Sequence, residues 1–181
     1  MATRTAICLL LIGCALSALP AHAQFFPWSP KDDDGEKVWI EAETRRPPYP
    51  KPENLIQYDP GVKSANRYYI DPQSISIGSD EVVRYTRIIK SSGGAENVSY
   101  EGQRCLTREH KYYAHGRPDR TWSEARSSAW RRIDKSESSR MLMVLYTDYF
   151  CPTERYPVTS VKEAVNLLKK GGPAPFAPRD D

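Results

Sequence analysis

Between Leu55 and Ala114, apolar and polar positions alternate in short runs cut by turn residues, a pattern that predicts strands joined by tight connections. Leu55 to Tyr58 ends at Asp59-Pro60-Gly61, Arg67 to Ile70 at Asp71-Pro72, and Ser74 to Ile77 at Gly78-Ser79-Asp80. The next run, EVVRYTRIIK from Glu81 to Lys90, sets Val83, Tyr85 and Ile89 on one face against Val82, Arg84 and Ile88 on the other. Both faces carry apolar groups, which predicts a central strand. Ser91 to Gly94 is the following connection. Asn97 to Thr107 then predicts a strand interrupted at Gly102, where a missing side chain marks a bulge or a close backbone approach. Glu109 to Ala114 predicts another strand, and Arg117-Pro118-Asp119 a surface turn before Trp122.

Beyond Trp122 the period changes. Ser123 to Ile133 fits neither template, whereas Met141, Leu142, Leu145 and Tyr149 predict a helix over Ser136 to Asp148 that stops at Cys151-Pro152. A second helix is marked at both ends: Ser160 and Glu163 form a capping box, Val161, Ala164, Val165 and Leu168 line one face, Lys169 and Lys170 suit the C-terminal dipole, and Gly171 stops it. At about eleven residues it is marginal alone and must dock on the sheet. The expected fold is α+β: a twisted antiparallel meander with two C-terminal helices packed on it.

The ends of the chain lack such patterning. Arg4, the apolar run Ala6 to Leu19 and the small residues Ala21-His22-Ala23 predict a secretory signal peptide over residues 1–23. The run is shorter than the roughly 20 residues a membrane span needs. A second processing pattern, Leu11-Ile12-Gly13-Cys14, is compatible with lipidation at Cys14. Residues 24–54 contain FFPWSP, KDDDGE and RRPPYPKP, so they are expected as a largely extended, Pro-rich tether, with Phe25, Phe26 and Trp28 available as an apolar hook. Within it VWIEAE, Val38 to Glu43, suits either a turn of helix or an edge strand. A single domain is expected over residues 55–171, followed by a disordered tail over 172–181.

Removing residues 1–23 takes Arg4 and no acid, leaving 25 Lys and Arg against 23 Asp and Glu. Basic and acidic residues alternate rather than cluster, which argues against nucleic acid as a partner. Signal removal also takes Cys8 and, with cleavage after Ala23, Cys14, so Cys105 and Cys151 are the natural disulfide pair in an oxidising compartment. Closing that loop stabilises the fold by about 4 kcal/mol in the chain-entropy treatment.

Candidate chemistry is sparse. His110 and His115 are five apart, an odd separation that puts their rings on opposite strand faces unless the turn at Ala114 reorients one, so no metal site is expected. No Gly-rich phosphate loop, HExxH, GxSxG or paired zinc-type cysteine motif is present. No catalytic residue and no cofactor is assigned. The aromatic and arginine set offers two readings: Tyr and Trp build the sheet core under covering Arg stems, or they line a groove for a peptide, glycan or anion. Arg104, Arg108, His110, Tyr112, Arg117 and Trp122 are the candidate binding face.

Several segments together resemble one family: AENVSYEGQRC from Ala95, the Tyr113 to Arg117 stretch, the Trp122, Trp130 and Ile133 spacing, and Asp148 to Pro152. YPKPENLI from Tyr49 and SISIG followed by VVRYT extend the likeness over most of the mature chain. The chain is similar to the cryptic neisserial protein-like family, an uncharacterised proteobacterial envelope domain. That resemblance implies a periplasmic protein or outer-membrane lipoprotein, with no catalytic residues to transfer. A looser likeness, in the IDPQSI hairpin and the cysteine-bearing strand, is to surface adhesin E-like domains, which bind extracellular host proteins. The expected partner is therefore an envelope protein or surface component, with no transmembrane span in the mature protein.

Overall fold

The structure is a computed structural model that describes residues 38–134, 136 and 139–172. The expected signal peptide with Cys14, the apolar hook, the rest of residues 24–37 and residues 173–181 lie outside the described residues. From Trp39 on, the described residues belong to one compact unit.

Seven strands form one antiparallel sheet: β1 (Ile56–Gln57), β2 (Arg67–Ile77), β3 (Val82–Lys90), β4 (Glu96–Arg104), β5 (Glu109–Gly116), β6 (Trp122–Glu124) and β7 (Arg131–Arg132). β1 to β6 follow chain order across the sheet, and β7 pairs with the other end of β5. The meander is as expected from the short connections. β3 is central, with all of Val82 to Ile88 buried. The 123–133 stretch that fitted neither period supplies β6 and β7, two short strands that close the edge of β5.

Two differences have clear causes. Asp71-Pro72 is not a turn between strands but lies inside β2, where the register with β3 breaks between Asp71 and Ser76. The missing N–H of Pro72 is tolerated at such an irregularity, and side chains repair the ladder: Gln73 N donates to Asp71 Oδ1 (3.0 Å) and Thr86 N to Ser74 Oγ (2.7 Å). The first helix is also shorter than expected. α1 spans Arg140–Val144 and opens into a π-helical turn over Leu145–Phe150. The wider turn sends Leu145, Tyr146, Tyr149 and Phe150 into the core together.

α2 (Val161–Lys170) begins and ends as its sequence dictates. Ser160 Oγ accepts from Glu163 N at 3.2 Å, and Gly171 takes φ 79°, a left-handed conformation that costs glycine nothing. Glu163 reaches back one residue further than expected, to Thr159 N and Oγ1 (both 2.7 Å). Its buried residues are Ala164 and Leu168, while Val161 is exposed. The core lies between the helices and one sheet face. Tyr85 stacks on Phe150 with ring centroids 4.5 Å apart, and Tyr58 meets Tyr68 and Tyr149 edge-on. Cys105 and Cys151 are disulfide-bonded in this core, tying the end of β4 to the end of the π turn across 46 residues.

The opposite sheet face is covered by the segment expected as a tether. Residues 39–50 are extended and carry no helix or strand, but they lie on the sheet rather than hanging from it. A short 3-10 turn, Pro52–Asn54, then leads into β1. The sheet is thus enclosed by helices on one side and an extended strap on the other.

Candidate functional site

The strap-covered face holds part of the aromatic and arginine set: Arg84, Arg104, Tyr100, Tyr113 and Trp130. Cross-strand pairing puts Arg84 opposite Gly102 and Val82 opposite Arg104, so these side chains share a face with Tyr100 and Thr86. Glu41 descends from the strap into this face. Its carboxylate accepts from Lys111 Nζ (2.8 Å), Tyr113 OH (2.8 Å) and Trp130 Nε1 (3.2 Å). Burial alone would raise the Glu41 carboxyl, but these donors outweigh it and hold it below the ordinary range. Asp80 supplies a second clamp, bonding Arg84 through both oxygens (3.1 and 2.6 Å) and accepting from Ala42 N (2.8 Å). Trp39 Nε1 donates to Asp80 O at 2.9 Å, and the Arg104 guanidinium sits 3.9 Å from the Trp39 ring centroid.

Gly102 makes this arrangement possible. A Cβ there would lie 2.8 Å from the Tyr113 ring, so the expectation of a close approach holds. The irregularity itself sits opposite, on β5: Tyr100 pairs with Ala114 and Glu101 with Tyr112, leaving Tyr113 unmatched. That extra residue corrects the expectation for the histidines. It resets the alternation, so His110 pairs with Gln103 and His115 with Ser99, and both rings lie on the helix-side face with Tyr112 between them, 4.5 and 5.3 Å away. Among the described residues no group of three or more His, Cys, Asp or Glu is placed to hold a metal ion.

On that same face a buried ionic cluster is centred on Glu101, which is fully enclosed. Arg87 Nε and Nη2 each lie 2.8 Å from Oε1, Tyr85 OH donates to Oε2 at 3.2 Å, and Ser99 Oγ also donates to Oε1. His110 Nε2 is 2.9 Å from Oε2. Burial opposes ionisation of Glu101, yet Arg87 and the hydrogen bonds from His110 and Ser99 prevail, and its carboxyl falls to about 2. A carboxylate carries no proton, so His110 Nε2 must be the donor. Arg87 Nη2 also bonds Tyr112 OH at 3.2 Å.

The six residues expected to form one binding face are therefore divided among separate places. Arg104 stacks on the strap. Arg108 occupies the β4–β5 turn at φ 54°, 3.9 Å from Glu154 and over the Tyr146 ring. His110 and Tyr112 belong to the helix-side face. Arg117 and Trp122 meet at the far end of the strap, where Trp122 Nε1 donates to Pro47 O (2.9 Å) and Tyr49 OH to Arg117 O (3.3 Å). Beside them opens a groove of about 550 Å³, floored by Ile88 and Val98 and walled by Tyr49, Pro50, Arg117 and Arg120. Trp122 and Trp130 are half-buried and outside the main core, so the core reading applies to the tyrosines Tyr58, Tyr68, Tyr85, Tyr146 and Tyr149 but not to these tryptophans.

Sequence reasoning missed Trp39, Glu41, Asp80 and Arg87. The Trp-x-Glu alternation at 39 and 41 is a visible signal that this stretch presents one face to something. Arg87 and Glu101 become partners only through the β3–β4 register, which pairs Arg87 with Ser99 and Tyr85 with Glu101.

These features define a disulfide-bonded α+β domain with an integral N-terminal strap. The chain belongs to the CNP1-like family, whose match covers residues 34–169, the strap included. No curated protein and no solved structure matches the chain.

Proposed function

We propose that the chain is exported, loses residues 1–23, and serves in the cell envelope as a non-enzymatic binding module. The observation that carries this reading is the groove at Tyr49 and Arg117. At about 550 Å³ it has the size of a ligand site, an apolar floor and a cationic wall. Arg120 is engaged with Pro50 O and the Tyr49 ring, and Lys90 with Glu96 at 2.8 Å, while the Arg117 side chain makes no hydrogen bond or ion pair among the described residues. That guanidinium stands on an exposed rim with Asp119 as a neighbouring charge, and it suits a carboxylate or phosphate on an envelope partner. The Cys105–Cys151 bond supports an oxidising compartment.

A second location within the envelope is favoured by Leu11-Ile12-Gly13-Cys14, which would anchor the protein to a membrane by lipidation at Cys14. No described helix is long and apolar enough to cross a membrane. Fractionation with mass measurement distinguishes the two: a mature chain starting at Gln24 in the soluble periplasmic fraction, or a lipid-bearing Cys14 in the membrane fraction. An uncleaved cytoplasmic chain refutes export. A photo-crosslinker at Pro118 should capture an envelope component in an Arg117-dependent manner. Equal capture from Leu106, at the opposite end of the sheet, would refute the groove as the site.

A further inference from the structure

The strap lies on the sheet as a bound peptide does. Residues 39–44 make no backbone ladder with any strand, and they cross a sheet face rather than extend an edge. Their hold consists of side-chain anchors and single bonds. Trp39 packs edge-on against Trp130 at 5.9 Å beneath the Arg104 guanidinium, Glu41 takes three donors, and Arg84 Nε donates to Thr44 Oγ1 at 2.9 Å. Ile40, between the two anchors, is 64% exposed. The contact therefore reads alternate residues of an extended chain, an aromatic followed two positions later by a carboxylate. The receiving face presents Arg84, Arg104 and Lys111; Asp80 pairs with Arg84 and Glu109 lies 3.7 Å from Arg104, which leaves Lys111, with Tyr113 and Trp130, as the carboxylate subsite. Its Trp, Tyr and Arg composition is that of energetically dominant interface residues.

We propose that this face is a recognition groove for an extended peptide of another polypeptide, bearing an aromatic residue and a carboxylate two positions on, and that residues 39–44 occupy it in cis until such a peptide displaces them. The receptor side is rigid, because Arg84, Lys111 and Tyr113 stand on β3 and β5 within the sheet and Gly102 leaves room for the Tyr113 ring. The strap can leave without unravelling a strand, since no ladder bond is lost. Its continuation stays fixed through the Trp122 to Pro47, Tyr49 to Arg117 and Arg120 to Pro50 bonds. A tethered occupant has an effective concentration on the order of millimolar. The incoming peptide must outcompete that value, so the strap acts as a threshold.

The probe is a fluorescein-labelled peptide of residues 38–46, VWIEAETRR, followed by fluorescence anisotropy against the full chain. Saturable binding is expected to a full-chain Trp39→Ala/Glu41→Ala variant, whose own strap is weakened, and binding at least tenfold weaker to the unaltered chain. Adding Lys111→Glu should abolish binding, and a peptide carrying Arg at the Glu41 position should restore it. If the double variant fails to fold, Glu41→Gln alone takes its place. Absence of saturable binding to a variant that keeps its disulfide and a cooperative thermal transition would overturn the proposal, as would binding insensitive to Lys111→Glu. The Arg117 groove is untouched by these substitutions, so its crosslinking outcome is independent of this one.

Discussion

Replacing Glu101 by Gln should be among the most damaging conservative changes in this protein. The substitution keeps the volume and removes one charge, leaving Arg87 enclosed with no counter-charge and Ser99, Tyr85 and His110 with a weaker acceptor. Breaking one side of a buried ion pair costs about 3–5 kcal/mol, against a total stability on the order of 5–15 kcal/mol for a domain. The proton linkage gives a compatible magnitude. Glu101 titrates at about 2 in the folded protein against an ordinary 4.5, and at about 1.4 kcal/mol per unit that difference contributes roughly 3 kcal/mol. Because the folded value is depressed, this stability is fully present above pH 4.5 and is lost as pH falls toward 2. Urea denaturation with the disulfide intact is the assay, run at pH 7 and at steps down to pH 2. The variant should lose about 3–5 kcal/mol at pH 7 and show a shallower acid dependence than the unaltered chain. An Arg87→Met/Glu101→Gln double variant should be less damaging than the sum of the singles. A loss below about 1 kcal/mol at pH 7, or strict additivity, would refute the view that these residues form one electrostatic unit.

Three other outcomes are expected. Replacing both Cys105 and Cys151 by Ala should lower stability by about 4 kcal/mol, from the 46-residue separation they span, as measured by denaturant midpoint; an unchanged midpoint would contradict a pinning role. Gly102→Ala should cost about 1–3 kcal/mol, because its Cβ would meet the Tyr113 ring at 2.8 Å, and limited proteolysis should then cut within residues 39–44; an uncut strap at full stability would refute it. Trp130→Ala, at a half-buried site, should cost less than the 3–5 kcal/mol typical of a core tryptophan while loosening Glu41; a core-sized loss by thermal denaturation would restore the core reading.

The amino-acid sequence determined the elements whose signals are local. Ser160, Glu163 and Gly171 set the ends of α2, the alternation in 81–90 made β3 a central strand, and short turn-bounded connections left little but a meander for the order of strands. It also paired Cys105 with Cys151, since few cysteines remained to choose from. What only the tertiary structure decided depends on register and on which face a segment covers. One unmatched residue, Tyr113, reversed the expected placement of His110 relative to His115, and a single-residue shift moves every following side chain to the other face. A Pro-rich composition such as that of residues 45–52 argues for an extended chain, but extension does not say whether that chain meets water or a sheet, and Pro52 instead opens the 3-10 turn. Glu41 and Trp39 settle where the strap lies through partners 41 to 91 positions away in sequence, contacts that no local pattern encodes.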